Sequence, residues 1–365
     1  MGVADEADRK RHKGRGAVSN PAGRFESQRR TAWDDGWALS EESVPALETT
    51  VTAEPAKSIV SHNESPDIFF ERSINPYKGC EHGCIYCYAR PSHAYLNLSP
   101  GIDFETKLFY KPNAADLLER EFRKPRYEPA LIAVGANTDP YQPIERKLGI
   151  TRSILEVMAR FRHPVGIITK GAALVERDID LLSALAQDDL VTVSITMTTL
   201  DPALKRTLEP RAASPGSRLR LMRLLADHGI PVRVLFSPVI PFINDAELEQ
   251  VLQAAADAGA QHASYTFLRL PHEVKDLFRE WLDANFPLKA RHVMSLVEQS
   301  RGGKAYDSNF ATRMRGEGEF ATLIAQRFKL ARRRFGLESK ARAINLSAFR
   351  VPDTAASSGA QLGLF

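Results

Sequence analysis

Short β-branched runs alternate with amphipathic helical stretches along the middle of the chain, and this alternation constrains the fold most. Strands that alternate with helices predict a parallel sheet with right-handed crossovers. Six units are too few for an eight-fold barrel, so we expect an α/β fold with a partial, open (βα)6 TIM-type barrel rather than a flat doubly wound sheet. The six strand-like runs are INPYKG, ALIAVGA (130–136), VGIITK (165–170), LVTVSIT (190–196), VRVLF (232–236) and HASYTFL (262–268).

Composition divides the chain into four parts. Residues 1–65 are polar and lack sustained periodicity, which predicts a basic, largely disordered or extended N-terminal arm. We expect the partial barrel over 66–270 and a basic, helical C-terminal extension over 271–350. Residues 351–365 form a flexible polar tail that ends in QLGLF.

Bulk composition predicts a globular protein of the cytoplasm. The chain has 365 residues, of which 43% are hydrophobic, so it can bury a large core. No apolar run approaches the length of a membrane span, and the N-terminus is charged where a signal peptide would be apolar. We therefore expect no membrane partner.

Positive charge is concentrated towards both ends of the chain, although the net charge is only +4. Basic ends of this kind attract polyanions such as nucleic acid. The segment 327–350 interleaves its basic residues with Phe328, Phe335 and Phe349, a pattern that suits phosphate tracking with aromatic contacts. A solvated tail and an amphipathic helix that caps the barrel are the competing interpretations.

All the cysteines of the chain lie within eight residues, at Cys80, Cys84 and Cys87. This clustering suits a reduced metal or redox site rather than disulfide bonds. The spacing is C-x3-C-x2-C, and Gly79 and Gly83 allow the backbone to wrap closely around one centre. The loop follows the first predicted strand, so the site would lie at the edge of the sheet where barrel enzymes bind ligands.

Two kinds of metal centre are consistent with three thiolates. A structural zinc ion needs four protein ligands, and the fourth would have to be His82 or His93. A [4Fe-4S] cluster can instead be held through three of its irons, which leaves the fourth iron open to an external ligand.

The cysteine spacing, with Tyr86 directly before the last cysteine, resembles the signature of radical S-adenosylmethionine (SAM) enzymes. The stretches NPYKGCEHGCIYCYAR, GANTDPYQPIE (135–145) and ITKG (168–171) are similar to the group named for spore photoproduct lyase, often labelled DNA repair photolyase. The resemblance covers roughly residues 70–270 and implies the same partial barrel that the strand pattern predicts.

This resemblance implies two cofactors, a [4Fe-4S] cluster and S-adenosyl-L-methionine, and a reductant such as flavodoxin or ferredoxin. In the family, SAM binds the open iron, and its reductive cleavage yields a 5′-deoxyadenosyl radical that abstracts hydrogen from the substrate. The cluster ligands would be Cys80, Cys84 and Cys87.

The resemblance also implies a set of SAM-binding residues. Apart from Tyr86, which would bind through its backbone, each is a polar residue at a strand end. Read without the family, the same residues suit turns, a helix entry or ordinary strand positions. The implied contacts are Tyr86 through its backbone to the adenine, Asn137, Thr138 and Asp139 to the methionine amino end, Lys170 to the carboxylate or ribose, and Ser194 to the ribose or carboxylate.

Tyr88 is the candidate catalytic residue, because it directly follows the last cluster cysteine and could contact the cofactor or relay a hydrogen atom. A packed ring is the alternative role. Glu209 and Arg211 are weaker candidates, which a local ion pair would explain equally well. Spore photoproduct lyase uses a hydrogen-donating cysteine outside the motif, and this chain has none. Reversal of a thymine dimer is therefore not expected here.

The C-terminal pentapeptide resembles the Q-L-x-L-F motif that binds the bacterial sliding clamp. Such a tail binds in an extended form, with its apolar residues in a hydrophobic cleft. Packing of the tail on its own domain is the alternative. The residues concerned are Gln361, Leu362, Leu364 and Phe365.

The sequence thus predicts a radical SAM enzyme that acts on nucleic acid, with DNA repair ahead of RNA modification. A first alternative keeps the chemistry but places a peptide or small molecule in the site, since a fold alone does not determine a substrate. A second alternative is a non-catalytic, metal-stabilised adaptor on the sliding clamp.

Overall fold

The computed structural model describes residues 13–26, 47–338 and 343–353. The strands are β1 Thr50–Ala53, β2 Val60–His62, β3 Arg72–Ile74, β4 Tyr77–Lys78, β5 Lys107–Tyr110, β6 Ile132–Val134, β7 Val165–Thr169, β8 Val191–Thr196, β9 Val232–Val239 and β10 His262–Phe267. The helices are α1 Asp103–Thr106, α2 Ala114–Phe122, α3 Glu145–Leu148, α4 Ile150–Arg160, α5 Ala173–Arg177, α6 Ile179–Gln187, α7 Pro202–Leu208, α8 Pro215–Asp227, α9 Leu248–Asp257, α10 Val274–Asn285, α11 Pro287–Gln299 and α12 Gly318–Arg334.

The main sheet has seven strands in the order β10-β9-β8-β7-β6-β3-β2. Its six strands from β3 to β10 are parallel and follow one another in chain order, whereas β2 pairs antiparallel with β3. A doubly wound sheet reverses its strand order at a switch point, and this sheet does not. Right-handed crossovers then place the helices on one face, which is the winding of a partial barrel. In the described part of the chain, the edge strands β10 and β2 do not pair with each other.

The alternation of side chains along β8 separates the core from the inner face of the sheet. Val193 and Ile195 are buried in the main hydrophobic core with Ile154 and Met158 of α4. Successive strand residues point to opposite faces, so Ser194 lies on the inner face, away from the helices. Polar residues on the inner face are what a partial barrel needs to bind a ligand.

The C-terminal extension completes the helical layer. Helix α12 packs against α9 and β10, and its Ile324 and Phe328 belong to the main core. Phe349 lies in an aromatic cluster, with ring centroids 5.8 Å from Phe122 and 5.6 Å from His163. Phosphate tracking by the basic residues of 327–350 stays a prediction, but aromatic contact with nucleic acid is wrong for Phe328 and Phe349, because their rings pack within the protein. The capping-helix interpretation accounts for them.

Two differences from the sequence expectations lie before the first crossover. INPYKG is not one strand: β3 ends at Ile74, and Tyr77–Lys78 joins a second, three-stranded sheet of order β1-β5-β4. The expected N-terminal arm contributes β1 and β2, and Ile59 is buried in the main core. These strands are short and form by pairing with distant segments, so local periodicity could not reveal them. No helix in the described ranges is long and apolar enough to cross a membrane.

Candidate active site

The three cysteines lie on one loop, between β4 and a 3-10 helix over Arg90–Leu96, and all are free thiols. Cys80 and Cys84 are buried, and Cys87 is partly buried. Gly79 has φ +78°, and a Cβ atom there would lie 2.9 Å from the carbonyl oxygen of Phe104. Only glycine fits this left-handed, close-packed position, so the sequence of the loop determines how tightly it turns.

A buried ion pair holds the cysteine loop in shape. The guanidinium of Arg90 lies 2.6 Å from the carboxylate of Glu105, and both side chains are fully buried. Arg90 Nε also donates to the carbonyl oxygen of Cys84 at 2.9 Å. The same carboxylate accepts hydrogen bonds from the backbone N–H groups of Gly16 and Ala17, at 3.0 and 2.8 Å. An N-terminal segment is thereby packed against the loop.

Each of the two histidines that could have supplied the fourth zinc ligand lies beside another group. His82 Nδ1 lies 3.2 Å from Asp139 Oδ2, and His93 Nε2 lies 2.9 Å from the carbonyl oxygen of Lys107. Within the described ranges, no three His, Cys, Asp or Glu side chains are grouped so as to hold a single metal ion. A [4Fe-4S] cluster binds each thiolate through a different iron, so its thiols need not converge on one point. The three free thiols on one glycine-bearing loop fit a cluster better than zinc.

Asp139 connects the ends of two strands to the cysteine loop. Its carboxylate accepts hydrogen bonds from Thr169 Oγ1 at 2.7 Å, the Lys170 N–H at 2.7 Å and the Tyr141 N–H at 2.9 Å. Burial raises the pKa of Asp139, but the neighbouring His82 and these hydrogen bonds outweigh it and hold the pKa well below its usual range. Because protein groups occupy the carboxylate, Asp139 positions its neighbours, and its predicted contact with SAM stays a prediction.

Asn137 and Thr138 precede Asp139 in the chain, but the two residues differ in solvent exposure. Thr138 is buried, and its hydroxyl donates to the carbonyl oxygen of Tyr77 at 2.8 Å. Asn137 is exposed, and its backbone N–H donates to Asn75 Oδ1 at 2.8 Å. The Asn137 amide side chain is therefore the more accessible ligand at this strand end.

A buried carboxylate, Glu209, is the centre of a network beneath the cysteine loop. It accepts hydrogen bonds from the hydroxyls of Tyr86 and Thr198 and pairs with the guanidinium of Arg218. Burial raises the pKa of Glu209, but Arg218 and Lys170 outweigh it and lower the pKa to about 2. Glu209 is therefore ionised, and it holds the Tyr86 ring in place.

The structure corrects the expected partner of Glu209. Arg211 does not pair with it but lies 3.1 Å from Glu81, whereas Arg218, on α8, forms the buried pair. Sequence reasoning missed Arg218 because it falls within an amphipathic helix, where a basic residue usually faces solvent.

Lys170 and Ser194 lie close to this network. Residues Ile168 and Ser194 are paired in register between β7 and β8, and Lys170 follows the end of β7 on the same face. The Lys170 ammonium lies 5.7 Å from the centre of the Tyr86 ring. The structure thus brings Lys170 close to the Tyr86 ring and places Lys170 and Ser194 on the same face of neighbouring strands.

Tyr88 lies at the rim of the site rather than within the core. Its side chain is 45% exposed, and its hydroxyl donates to the carbonyl oxygen of Ala136, directly after β6. The guanidinium of Arg269, which follows β10, lies 5.2 Å from the centre of the Tyr88 ring. Tyr88 is therefore not a tightly packed core ring. Sequence reasoning missed Arg269, because no residue near Arg269 in the chain indicates this contact.

Comparison with known proteins shows which family this chain resembles. The radical SAM superfamily model matches residues 74–255, and proteins of that family use a [4Fe-4S] cluster and SAM. An uncharacterized protein of Mycobacterium tuberculosis is 36% identical over 60% of this chain. The match spans 64% of that relative, which is less than two thirds of its length. An uncharacterized protein of Methanocaldococcus jannaschii is 28% identical over 59% of this chain and 76% of its own.

Solved structures of spore photoproduct lyase share the fold. One variant superimposes with a TM-score of 0.57 at 14% identity, covering 79% of this chain and 80% of that one. Another variant, with bound AdoMet and dinucleoside spore photoproduct, has a TM-score of 0.54 at 14% identity, covering 78% and 79%. At this identity the likeness shows the fold alone, and it confirms the expected α/β architecture.

Proposed function

Because the chain carries a domain of the radical SAM superfamily over residues 74–255, we propose that it acts as a radical SAM enzyme on nucleic acid, with DNA repair ahead of RNA modification. The observation that carries the chemistry is the group of three free thiols on one loop, where Lys170 and Glu209 act on the Cys84 thiol. When bound, the cluster and SAM supply a 5′-deoxyadenosyl radical for hydrogen abstraction.

In this proposal, some residues of the site contact the cluster or SAM, and others hold those residues in position. Cys80, Cys84 and Cys87 hold the cluster. Around the cofactor, the exposed Asn137 amide suits the methionine amino end, and the Lys170 ammonium suits its carboxylate or the ribose. Ser194 lies on the same inner face. Thr138 and Asp139 mainly set the shape of the strand end, and Tyr86 is held by Glu209, which leaves its backbone for the adenine.

Nucleic acid is supported as the substrate by the rim of the site. Arg269 lies over the Tyr88 ring and Arg313 over the Phe310 ring, and proteins that bind single-stranded nucleic acid likewise combine basic and aromatic side chains. A structural neighbour, spore photoproduct lyase, is known in complex with dinucleoside spore photoproduct. The reaction here would differ from that of the lyase, since all the cysteines lie in the cluster loop. Tyr88, half exposed beside the last cysteine, is the proposed hydrogen relay in place of a cysteine.

The chemistry is tested on anaerobically purified protein. We expect about four irons per chain and release of 5′-deoxyadenosine when dithionite and SAM are added. Cys84→Ala should abolish this release, whereas His228→Ala, on the exposed end of α8, should retain it. Bound zinc without iron, or turnover that persists in Cys84→Ala, would contradict the proposal.

The substrate class is tested by deuterium transfer. Deuterated pools of damaged DNA, undamaged DNA, RNA and peptide are each incubated with the active enzyme, and label is measured in deoxyadenosine. Transfer from a DNA pool is expected. Transfer from RNA or peptide alone would replace DNA as the substrate class while leaving the radical chemistry in place.

We also propose that the C-terminal QLGLF motif recruits the enzyme to the sliding clamp; these residues lie outside the described ranges. The support is the match of Gln361, Leu362, Leu364 and Phe365 to the clamp-binding pattern. A peptide ending in AQLGLF should bind purified clamp, and Leu364→Ala with Phe365→Ala should remove binding. No binding at clamp concentrations of about tens of micromolar would reject this partner, since short motifs of this type bind in that range.

A further inference from the structure

Arg269 is a cation without an anionic partner at the rim of the site. Its guanidinium lies over the Tyr88 ring, and its remaining polar contacts are long, 3.5 Å to the Tyr306 hydroxyl and 3.6 Å to the Met314 sulfur. Its Nε is buried and has no hydrogen-bond acceptor. Among the described residues, no carboxylate lies within ion-pair distance of Arg269. Buried donors are almost always paired in native proteins, so this group lacks a ligand.

A second buried arginine increases the positive potential here. Arg301 is 2% exposed, and its terminal nitrogens donate to the carbonyl oxygens of Leu268 and Thr312 at 2.7 and 2.9 Å. Its Nε is likewise without an acceptor. Burial and then the charge of Arg269 lower the pKa of Arg301 to about 10. Asp307 and Glu317 act on Arg301, and Asp67 acts on Arg269, but among the described residues no carboxylate lies within ion-pair distance of either guanidinium. Two cations that lack a directly paired acid attract an anion from outside the chain.

Arg313 is close by but differs from Arg269 in being neutralised. Its Nε and terminal nitrogen each lie 2.6 Å from one carboxylate oxygen of Asp67. This bidentate pair uses the edge of the guanidinium, with its two parallel N–H groups, that would otherwise bind an oxyanion. The chain therefore pairs one rim arginine directly with a carboxylate and leaves Arg269 with only the longer-range influence of Asp67.

We infer that Arg269 is a substrate-positioning residue that binds a phosphodiester of nucleic acid beside the Tyr88 ring. Guanidinium groups suit phosphate oxygens, and the exposed rings of Tyr88 and Phe310 suit the faces of adjacent bases. Arg269 and Arg313 lie over one face of the Tyr88 and Phe310 rings, respectively. A carboxylate of a peptide would satisfy the charge but would offer no base to the remaining exposed ring surface. Because Tyr88 directly follows Cys87, a phosphate on Arg269 fixes the adjacent nucleotide against the cluster loop. This inference rests on the proposed function and names its substrate contact.

The test compares two ligands that differ at one non-bridging phosphate oxygen, which a methyl group replaces with loss of the negative charge. Dithymidine monophosphate and its uncharged methylphosphonate analogue are titrated calorimetrically into the anaerobically reconstituted full chain, without SAM or reductant. We expect the wild type to prefer the charged dinucleotide by about tenfold, the worth of one charge-assisted contact. Arg269→Gln should reduce this preference to less than about twofold. Arg334→Gln, an equal charge change on the exposed end of α12, should retain it.

Several outcomes would overturn the inference. These are equal binding of both dinucleotides by the wild type, full preference in Arg269→Gln, or Arg269-dependent binding of an Asp-Phe dipeptide that exceeds that of the dinucleotide. If Arg269→Gln fails to fold in a thermal melt, Arg269→Lys replaces it. Lysine keeps the charge but loses the planar fork, so a partial loss of preference is expected and full preference would contradict the inference.

The binding test and the radical test fail separately. No turnover occurs in the titration, so a protein that releases no deoxyadenosine can still show the charge preference. Conversely, a wild type that cleaves SAM but binds both dinucleotides equally would reject the role of Arg269 alone.

Discussion

At the residue scale, Glu209 shows why burial and charge must be considered together. A fully buried carboxylate is costly unless its oxygens are paired, and here Arg218, Tyr86 and Thr198 pair them. Arg218 is equally buried, and it also donates to the carbonyl oxygens of Thr196 and Ala213, at 2.8 and 3.0 Å. The network therefore joins β8 and α8 to the cysteine loop.

We predict that Glu209→Gln destabilises the cluster-free protein by about 3–5 kcal/mol, because it leaves the Arg218 charge buried without a counter-ion. Adding Arg218→Met should restore part of the loss, since the uncompensated charge is then removed. Urea denaturation measures the free energy of unfolding of the single and the double variant. Glu121→Gln is the control, because its partner Lys124 is 62% exposed. This substitution should lower the free energy of unfolding by less than about 1 kcal/mol. A double variant no more stable than Glu209→Gln would contradict this account.

At the element scale, His163 joins α2, α4 and the C-terminal segment. Its ring stacks on Phe122 at 4.2 Å, Nδ1 donates to the carbonyl oxygen of Pro164 at 3.0 Å, and Nε2 accepts from the Tyr127 hydroxyl at 2.8 Å. Burial lowers the pKa of His163 to about 3. The folded protein thus requires the neutral ring, whereas the unfolded chain is protonated below its ordinary pKa of 6.5.

We predict that this histidine makes stability depend on pH between about 6.5 and 3. Its contribution is complete above 6.5 and is lost as the pH falls, by about 1.4 kcal/mol for each pH unit. Urea denaturation at pH 7.5 and 5.5 should give a drop for the wild type that is about 1.4 kcal/mol larger than for His163→Phe. Equal drops for the two proteins would show that His163 is not the titrating group.

At the scale of the whole molecule, an ion pair spans the two edges of the open sheet. Asp67 lies between the edge strand β2 and β3, and Arg313 lies in the segment that pairs with β10 through the Phe267 N–H and the Met314 carbonyl oxygen. Both charged side chains are only 12% exposed, and the contact is bidentate. This pair links edges that backbone hydrogen bonds leave separate.

We predict that Asp67→Asn weakens the link between the two edges of the sheet. Loss of this mostly buried, charge-assisted pair should lower the free energy of unfolding by about 2 kcal/mol. It should also speed amide hydrogen exchange in residues 63–70 and 300–317. Exchange in α4 should stay the same, because α4 lies on the opposite face of the sheet. Glu54→Gln, which removes an ion pair that is 38% and 40% exposed, is the control and should leave exchange in both segments unchanged.

Much of this fold and site was predictable from local patterns. The β-branched runs placed β7, β8, β9 and β10 correctly, and the spacing of Cys80, Cys84 and Cys87 indicated one centre on one loop. What local patterns missed were contacts between distant segments: β1 and β2, Arg90 with Glu105, and Arg218 with Glu209. None of these has a signal within a few residues, because each depends on a partner from another element.

The sequence by itself determined the alternation of strands and helices, the glycines that turn the cysteine loop, and the absence of a cysteine elsewhere in the chain. These follow from side-chain chemistry and local backbone freedom. Only the tertiary structure decided which buried charges pair, that Phe328 and Phe349 pack within the protein, and that Arg269 has no carboxylate within ion-pair distance among the described residues. Electrostatic pairing depends on distance in space, and the chain brings these groups together only when it folds.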